Sequence, residues 1–261
     1  MNSELHRPTS RVLDLLETLA GTENGLTLTE LSRAIDAPAS SLIPFVRTLL
    51  ARGYVALNKR DMTYSLGAKN LMLSSGFTAG SDVYALAQDE MRKLVERCSE
   101  TCQLGILEGS NVFYIGKVDS PEPLRLVSSV GKSIPACCTA IGKALLCDFS
   151  KEAVAALYPS GLPSLTPASL RSLDELYDQV VKVRSGGFAT DVEEAMEHLR
   201  CFALPIRLHG RIDSAISVST PTFRLDAEKT ALVQQCLTET RDKIERHLEQ
   251  AGHGLGQEMS A

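Results

Sequence analysis

The sequence predicts an α+β protein in two parts: a winged helix-turn-helix, then an antiparallel sheet with helices packed on it. Three observations carry this. Residues 27–66 run helix, tight turn, helix and hairpin, with basic residues at the hairpin tip. From residue 81 onward, strand-length apolar runs alternate with amphipathic helical stripes. The 261 residues, 44% of them apolar, suffice for two ordinary domains with real cores.

Residues 1–8 read as a loose arm. From Ser10 the apolar set Val12, Leu13, Leu15, Leu16 and Leu19 is helical, closed by Gly21. Thr27 and Glu30 have the spacing of a capping box, and Leu28, Leu31, Ala34 and Ile35 share one face of the helix that follows. Asp36-Ala37-Pro38 stops it, because proline lacks an N–H and disfavours helix at the residue before it. The second helix is expected to start near Ser41. With Ser41 as N-cap, Pro44 falls at the third helical position, where an N–H has no helical partner to lose. Its apolar side is Leu42, Phe45, Val46, Leu49 and Leu50, and Gly53 ends it. Strands 54–57 and 62–66 flank Asn58-Lys59-Arg60-Asp61. Residues 68–77, with Leu71, Met72 and Leu73, read as a connecting helix.

In the second part, Val83, Leu86, Ala87, Met91, Leu94, Val95 and Cys98 form one helical stripe. Strand-like runs follow at 101–107, 111–117 and 124–130. Residues 133–141 are small and apolar and lead into a helix through Leu146. Helices are expected at 152–157 and 167–185, the latter capped by Thr166 with Pro167 at its first position. Residues 200–207 and 211–220 form an antiparallel pair. A long helix carrying Leu232, Val233, Cys236, Leu237, Ile244 and Leu248 closes the domain. The expected division is a winged helix-turn-helix at 1–67, a connecting helix at 68–80, an antiparallel-sheet α+β domain at 81–250 and a disordered tail at 251–261.

Charge narrows the function classes. The net charge of −5 argues against indiscriminate coating of nucleic acid. Residues 1–80 hold 8 Lys/Arg against 7 Asp/Glu, and the remainder 19 against 25, so the first part is the better partner for DNA. The seven cysteines have no disulfide-scaffold spacing. With no leader pattern and no 18-residue apolar run, the expectation is a cytoplasmic protein with reduced thiols and no membrane contact.

Ser40, Ser41, Arg47, Thr48, Arg52, Lys59 and Arg60 are the candidate contacts to double-stranded DNA, since hydroxyls, guanidinium groups and helix N-termini supply donors to phosphates and base edges. Ser217 and Ser219 share a strand face by period two. The Thr139–Lys143 segment opens a helix whose free N–H groups suit a carboxylate. His198, Cys201 and Asp191 are a catalytic constellation only in sequence proximity, which does not make a triad. Cys137-Cys138 with His198 lacks a zinc spacing. Cys98 and Cys102 read as i, i+4 neighbours on the apolar side of a helix. No enzyme activity, metal or cofactor is expected. Two readings stay open on the residues alone: a ligand-responsive DNA-binding regulator, or a metabolite-binding or catalytic α+β domain with an N-terminal protein-interaction module.

The chain resembles the IclR family of bacterial transcriptional regulators. In the first part the resemblance rests on GLTLTELSRAI, SSLIPFVRTLLARGYV and YSLG. In the second it rests on CQLGILEG, VFYIGKVDSPEPLRLVSSVGKSIPACCTAIGKALL, GGFATDVEEAMEHLRCFALPI and AISVSTP. It covers Ser10 to about Leu248. It implies a winged helix-turn-helix, a linker helix and a GAF-like effector domain, a homodimer or tetramer on DNA, and a small organic or aromatic acid as effector. Carried over by matching motif, the implied effector contacts are Ala140, Ile141, Asp191, Leu199, Cys201, Ser217 and Ser219. Two positions depart from the family pattern. Ile43 and Pro44 stand where a basic residue or histidine is frequent, and His198 where a glycine is.

Overall fold

The computed structural model describes residues 5–22, 24–79, 82–125 and 129–256. It divides into two compact units, Met1–Ser81 and Asp82–Ala261.

The first unit opens with α1 (Arg7–Ala20), so the expected arm is shorter than eight residues; residues 1–4 lie outside the described ones. Leu15 and Leu19 are buried, whereas Leu13, expected on the apolar stripe, is exposed. A two-residue strand, β1 (Leu26–Thr27), precedes α2 (Leu28–Ala34). The capping box is present in full: the Thr27 hydroxyl accepts from the Glu30 amide at 3.3 Å, and the Glu30 carboxylate accepts from the Thr27 amide at 2.8 Å. The turn after α2 passes through Asp36 at φ 48°. It is held by the Ser32 hydroxyl donating to the Ala37 carbonyl at 2.6 Å and by Arg11 donating to the carbonyls of Ile35 and Asp36.

The second helix, α3, runs Ala39–Arg52 from a Pro38 N-cap, with Pro44 inside it. This corrects the expected start at Ser41. Pro44 sits in the second turn, where it leaves the Ser40 carbonyl without its helical donor and crowds it with the ring. Both residues are exposed, so water can satisfy that carbonyl. Gly53 ends the helix in the left-handed region at φ 78°. The hairpin is β2 (Val55–Asn58) and β3 (Thr63–Leu66), and β3 pairs on its other side with β1 to give the order β1-β3-β2. Leu15, Leu19, Leu31, Leu42, Val46, Leu49 and Val55 form the core. After the wing, α4 (Asn70–Ala79) carries Leu71, Met72 and Leu73 out to solvent.

The second unit begins with α5 (Asp82–Cys98), whose expected stripe is buried except for Leu86. The helix stops at Ser99, φ 58°, so Cys98 ends a helix while Cys102 lies on a strand. They are not helical neighbours. The strands are β4 (Thr101–Glu108), β5 (Asn111–Val118), β6 (Ser133–Pro135), β7 (Ala189–Val192), β8 (Leu199–Leu208) and β9 (Arg211–Pro221), all antiparallel, in the order β6-β5-β4-β9-β8-β7. Of the expected strand at 124–130, residues 126–128 lie outside the described ones, and the described flanks are not strand. Helices α6 (Ala140–Leu145), α7 (Lys151–Leu157) and α8 (Leu173–Arg184) build a core on one face. On the other face α5 packs with α9 (Ala227–Ala251). The expected helix at 167–185 is six residues shorter at its start. Ser172 and Glu175 form the capping box that begins it, and Thr166 has another partner, described below. Of the expected tail, residues 251–256 continue from α9, with Leu255 buried and its amide donating to Asp213 at 3.0 Å; residues 257–261 lie outside the described ones.

Replacing Pro44 restores a helical donor on an exposed face. Pro44→Ala should raise the stability of the first unit by about 1–3 kcal/mol. The check is urea denaturation followed by helical circular dichroism; an unchanged or lowered midpoint contradicts the placement.

Candidate functional site

Two surfaces of the fold gather the residues expected to act. In the first unit, Ser40, Ser41, Arg47, Thr48 and Arg52 are all exposed on α3, around the sides of the helix that the buried Leu42, Val46 and Leu49 leave free. Lys59 and Arg60 are exposed at the wing tip. The tip is fixed by Asn58, which accepts from the Arg60 amide at 3.0 Å and donates to Asp61 at 3.0 Å. Two of the hydroxyls are already committed as donors. Ser41 donates to the Pro38 carbonyl at 2.7 Å and Thr48 to the Pro44 carbonyl at 2.9 Å. Phosphate oxygens only accept, so the readiest donors on this face are Arg47, Arg52 and Lys59.

In the second unit, Ala140, Ile141, Asp191, Leu199, Cys201, Ser217 and Ser219 line one cavity of about 210 Å³. Sequence reasoning missed Gln103, Tyr114, Lys132, Ile134, Ala195 and Met196, which share it. Its floor is the sheet. Gln103 on β4 lies opposite Ser217 on β9, and Cys201 on β8 lies opposite Ser219. Gln103 accepts from the Ser219 hydroxyl at 3.1 Å, and the Cys201 sulfur is 3.1 Å from the same oxygen. Burial pushes the Cys201 thiol and the Tyr114 hydroxyl above their ordinary ranges, so both stay protonated.

The wall is α6. Thr139 caps it by accepting from the Gly142 amide at 3.0 Å, which leaves the first-turn amides of Ala140 and Ile141 with no acceptor inside the helix. Small residues let this helix approach. A Cβ on Gly142 would lie 2.0 Å from the Ala136 carbonyl, and one on Gly105 would lie 2.7 Å from Val112 and 3.2 Å from Ile141.

The opposite wall is the loop from β7 to β8. Asp191, 1% exposed, accepts from the amides of Glu194 at 2.7 Å and Ala195 at 3.4 Å. Burial pushes its carboxyl up to about 6, against those hydrogen bonds and the pull of Lys143. Thr166 donates to the Glu193 carbonyl at 2.6 Å and Ser169 to the Glu194 carbonyl at 2.8 Å, which is where the expected helix cap went. His198 sits at φ 63°, in the left-handed region a glycine enters without strain.

Lys143 of α6 joins the two walls. It is wholly buried, with its Nζ 2.6 Å from both Glu194 oxygens and 2.8 Å from the Thr190 carbonyl. Burial raises the Glu194 carboxyl and the Lys143 ammonium opposes that rise. No cluster of three or more metal-ligating side chains occurs among the described residues, and His198 makes no triad with Asp191 and Cys201, since it is exposed while they face the cavity.

Two family models match the chain: the IclR helix-turn-helix domain over residues 8–58 and the bacterial transcriptional regulator IclR C-terminal domain over residues 76–246. The chain is 31% identical over 241 residues to the HTH-type transcriptional regulator XynR of Escherichia coli strain K12, covering 91% of this chain and 95% of that protein. It is 33% identical over 220 residues to the HTH-type transcriptional regulator KdgR of Dickeya chrysanthemi, covering 84% and 72%. The crystal structure of an IclR transcriptional regulator from Alicyclobacillus acidocaldarius shares its fold, with a TM-score of 0.84 at 23% identity over 92% of this chain and 98% of that one.

Removing one partner of a buried pair leaves an uncompensated charge. Lys143→Met should therefore destabilise the second unit by about 3–5 kcal/mol, and adding Glu194→Gln should recover part of that loss. Urea denaturation of the single and double variants measures this. A double variant as unstable as the sum of the two singles contradicts the pairing.

Proposed function

The chain belongs to the IclR family of bacterial transcriptional regulators, and from that premise we propose which residues meet the DNA and what the cavity holds. Members are DNA-binding transcriptional regulators with a C-terminal effector domain, not enzymes, and this chain carries both parts. That sets aside the reading of a catalytic domain with a protein-interaction module. No described helix is long and apolar enough to cross a membrane. We place the protein in the cytoplasm, with a DNA-binding domain at 1–67, a linker helix at 68–80, an effector domain at 81–250 and a C-terminal segment at 251–261 whose Leu255 packs back on that domain.

On the DNA side, Ser40, Ser41, Arg47, Thr48 and Arg52 face the major groove, and Lys59 and Arg60 meet phosphates from the wing. One copy supplies few cations, so specific affinity calls for a homodimer or tetramer on a partly palindromic operator. The exposed Leu71, Met72 and Leu73 of α4 support assembly, since a second copy would cover them.

The effector is a small organic or aromatic carboxylate. The observation that supports this most is the meeting, in one cavity, of the Ala140 and Ile141 amides with the Ser217 hydroxyl, while Ser219, whose hydroxyl is given to Gln103, shapes the same wall. Ile134, Ile141, Met196 and Leu199 supply apolar contact for a compact body. Asp191 opposes an anion only when ionised. With its carboxyl near 6, it takes up a proton as a carboxylate binds beside it.

Two measurements test these assignments. Arg47→Ala with Lys59→Ala should weaken binding to specific and nonspecific duplexes alike and lower the slope of log affinity against log salt by about 2 per bound chain. A weakened affinity with an unchanged slope contradicts the phosphate contacts. Calorimetry with aromatic and aliphatic carboxylates should give affinity that rises as pH falls from about 7.5 to about 6, by up to roughly tenfold per pH unit. Asp191→Asn should bind tighter at pH 7.5 and lose the dependence. The same pH profile in both proteins would remove Asp191 from the site.

A further inference from the structure

Cys137 and Cys138 are adjacent in sequence, both 1% exposed, and lie in the single turn that precedes Thr139. Their sulfurs are 3.7 Å apart. Beyond the effector reading, and independent of it, we propose that this pair is a binding site for trivalent arsenicals, in which one arsenic atom bridges the two sulfurs.

Geometry favours a bridging atom over a direct disulfide. Consecutive Cα atoms are about 3.8 Å apart across a trans peptide, below the usual 4.4–6.8 Å separation for a disulfide, so a bond between these two sulfurs would be strained. Bonds from thiolate sulfur to a soft atom run about 2.3 Å. One such atom therefore reaches both sulfurs at their present separation with an angle close to tetrahedral. Two thiols alone do not complete a zinc site, which takes four ligands or three and a water.

The surroundings prepare one thiol to react. The Cys138 S–H faces two acceptors, the Cys137 sulfur at 3.7 Å and the Pro163 carbonyl at 3.3 Å. The Cys138 sulfur beside it holds the Cys137 thiol below its ordinary range, against burial. Tyr158 is fixed between the Cys137 amide and the Ser110 carbonyl, each at 3.0 Å. A lowered thiol with a second thiol beside it is the arrangement that thiophilic reagents select. The segment reaching Cys138 is irregular chain between α7 and α8, with Gly161 at φ 92° and Leu165 exposed. Both sulfurs lie in the buried core, so a reagent reaches them only through a transient opening of this segment, which labelling of the folded protein tests.

The chemistry balances without an oxidant. An arsenoso group, R–As=O, meets two thiols. Two S–H bonds and the As=O bond break, two As–S bonds form, and the oxygen leaves with both protons as water. Arsenic stays trivalent throughout.

The test uses phenylarsine oxide on the folded full-length protein, read by intact mass and by mapping of the adduct peptide. One equivalent should bind per chain, on the peptide holding both residues, resist a monothiol and reverse with a dithiol. Cys138→Ala and Cys137→Ala should each abolish it, while Cys236→Ala should not. The mapping is made on the parent protein and so does not depend on how the variants fold. An adduct on other cysteines, uptake that survives either single variant, or labelling only after unfolding in urea overturns the proposal. So does loss of two hydrogens with peroxide in a protein that takes up no arsenical.

Discussion

The second unit depends on one interaction, the buried pair of Lys143 and Glu194. A lysine with no exposure at all holds its charge only if a carboxylate and further acceptors surround it. Here Glu194 and the Thr190 carbonyl do so at hydrogen-bonding distance. Such a pair adds little net stability, because desolvation offsets most of the attraction. It does fix geometry, because α6 cannot slide without exposing Lys143 to an apolar core. Lys143 lies on the helix whose first turn offers the Ala140 and Ile141 amides, and Glu194 lies in the loop that carries Asp191, Ala195 and Met196. The shape of the cavity follows from that tie. Thr166, Ser169 and the Asp191 carboxylate fix the loop from its other sides.

The first unit is built on the opposite principle. Its core is small and aliphatic, and the face proposed to meet DNA is held by α3 itself and by the Asn58 turn at the wing tip. Arg47, Arg52 and Lys59 are exposed and carry the charge, while two of the hydroxyls expected to help are tied to carbonyls of their own helix. Pro44 stands on the same exposed face and disturbs one hydrogen bond of that helix. Such a face supplies orientation and charge in modest amounts. That is why two or more copies are proposed for affinity, with salt screening it.

Much of this was legible in the residues, and the exceptions have physical causes. The Thr27/Glu30 box, the Gly53 stop and the basic hairpin tip are local signals, and local signals survive without tertiary context. The same spacing stands at Ser172 and Glu175, but the helix is expected from Thr166-Pro167, and only the Thr166 bond to the Glu193 carbonyl shows why that start fails. Proline costs least in a first turn, which is why the sequence points to a start at Ser41, yet the exposed α3 tolerates Pro44 in its second turn. The strand Ala189–Val192 is short and holds an aspartate, so strand propensity did not reveal it. Gln103 and Tyr114 join the cavity through the register of β4, β5 and β9, which no local pattern encodes. Lys143 was invisible for a simpler reason: lysine is almost never fully buried, and nothing in its neighbours announces a glutamate fifty-one positions away.

The central claim is that a carboxylate is held by the first-turn amides of α6. The most direct measurement is the amide nitrogen and proton shifts of the full-length, deuterated protein, titrated with an aromatic carboxylate that binds by calorimetry. The account predicts that the Ala140 and Ile141 amides move furthest downfield and saturate with the calorimetric affinity, with smaller changes at Ser217 and Ser219. Saturating shifts confined to other residues, with the Ala140 and Ile141 amides unmoved, would contradict it.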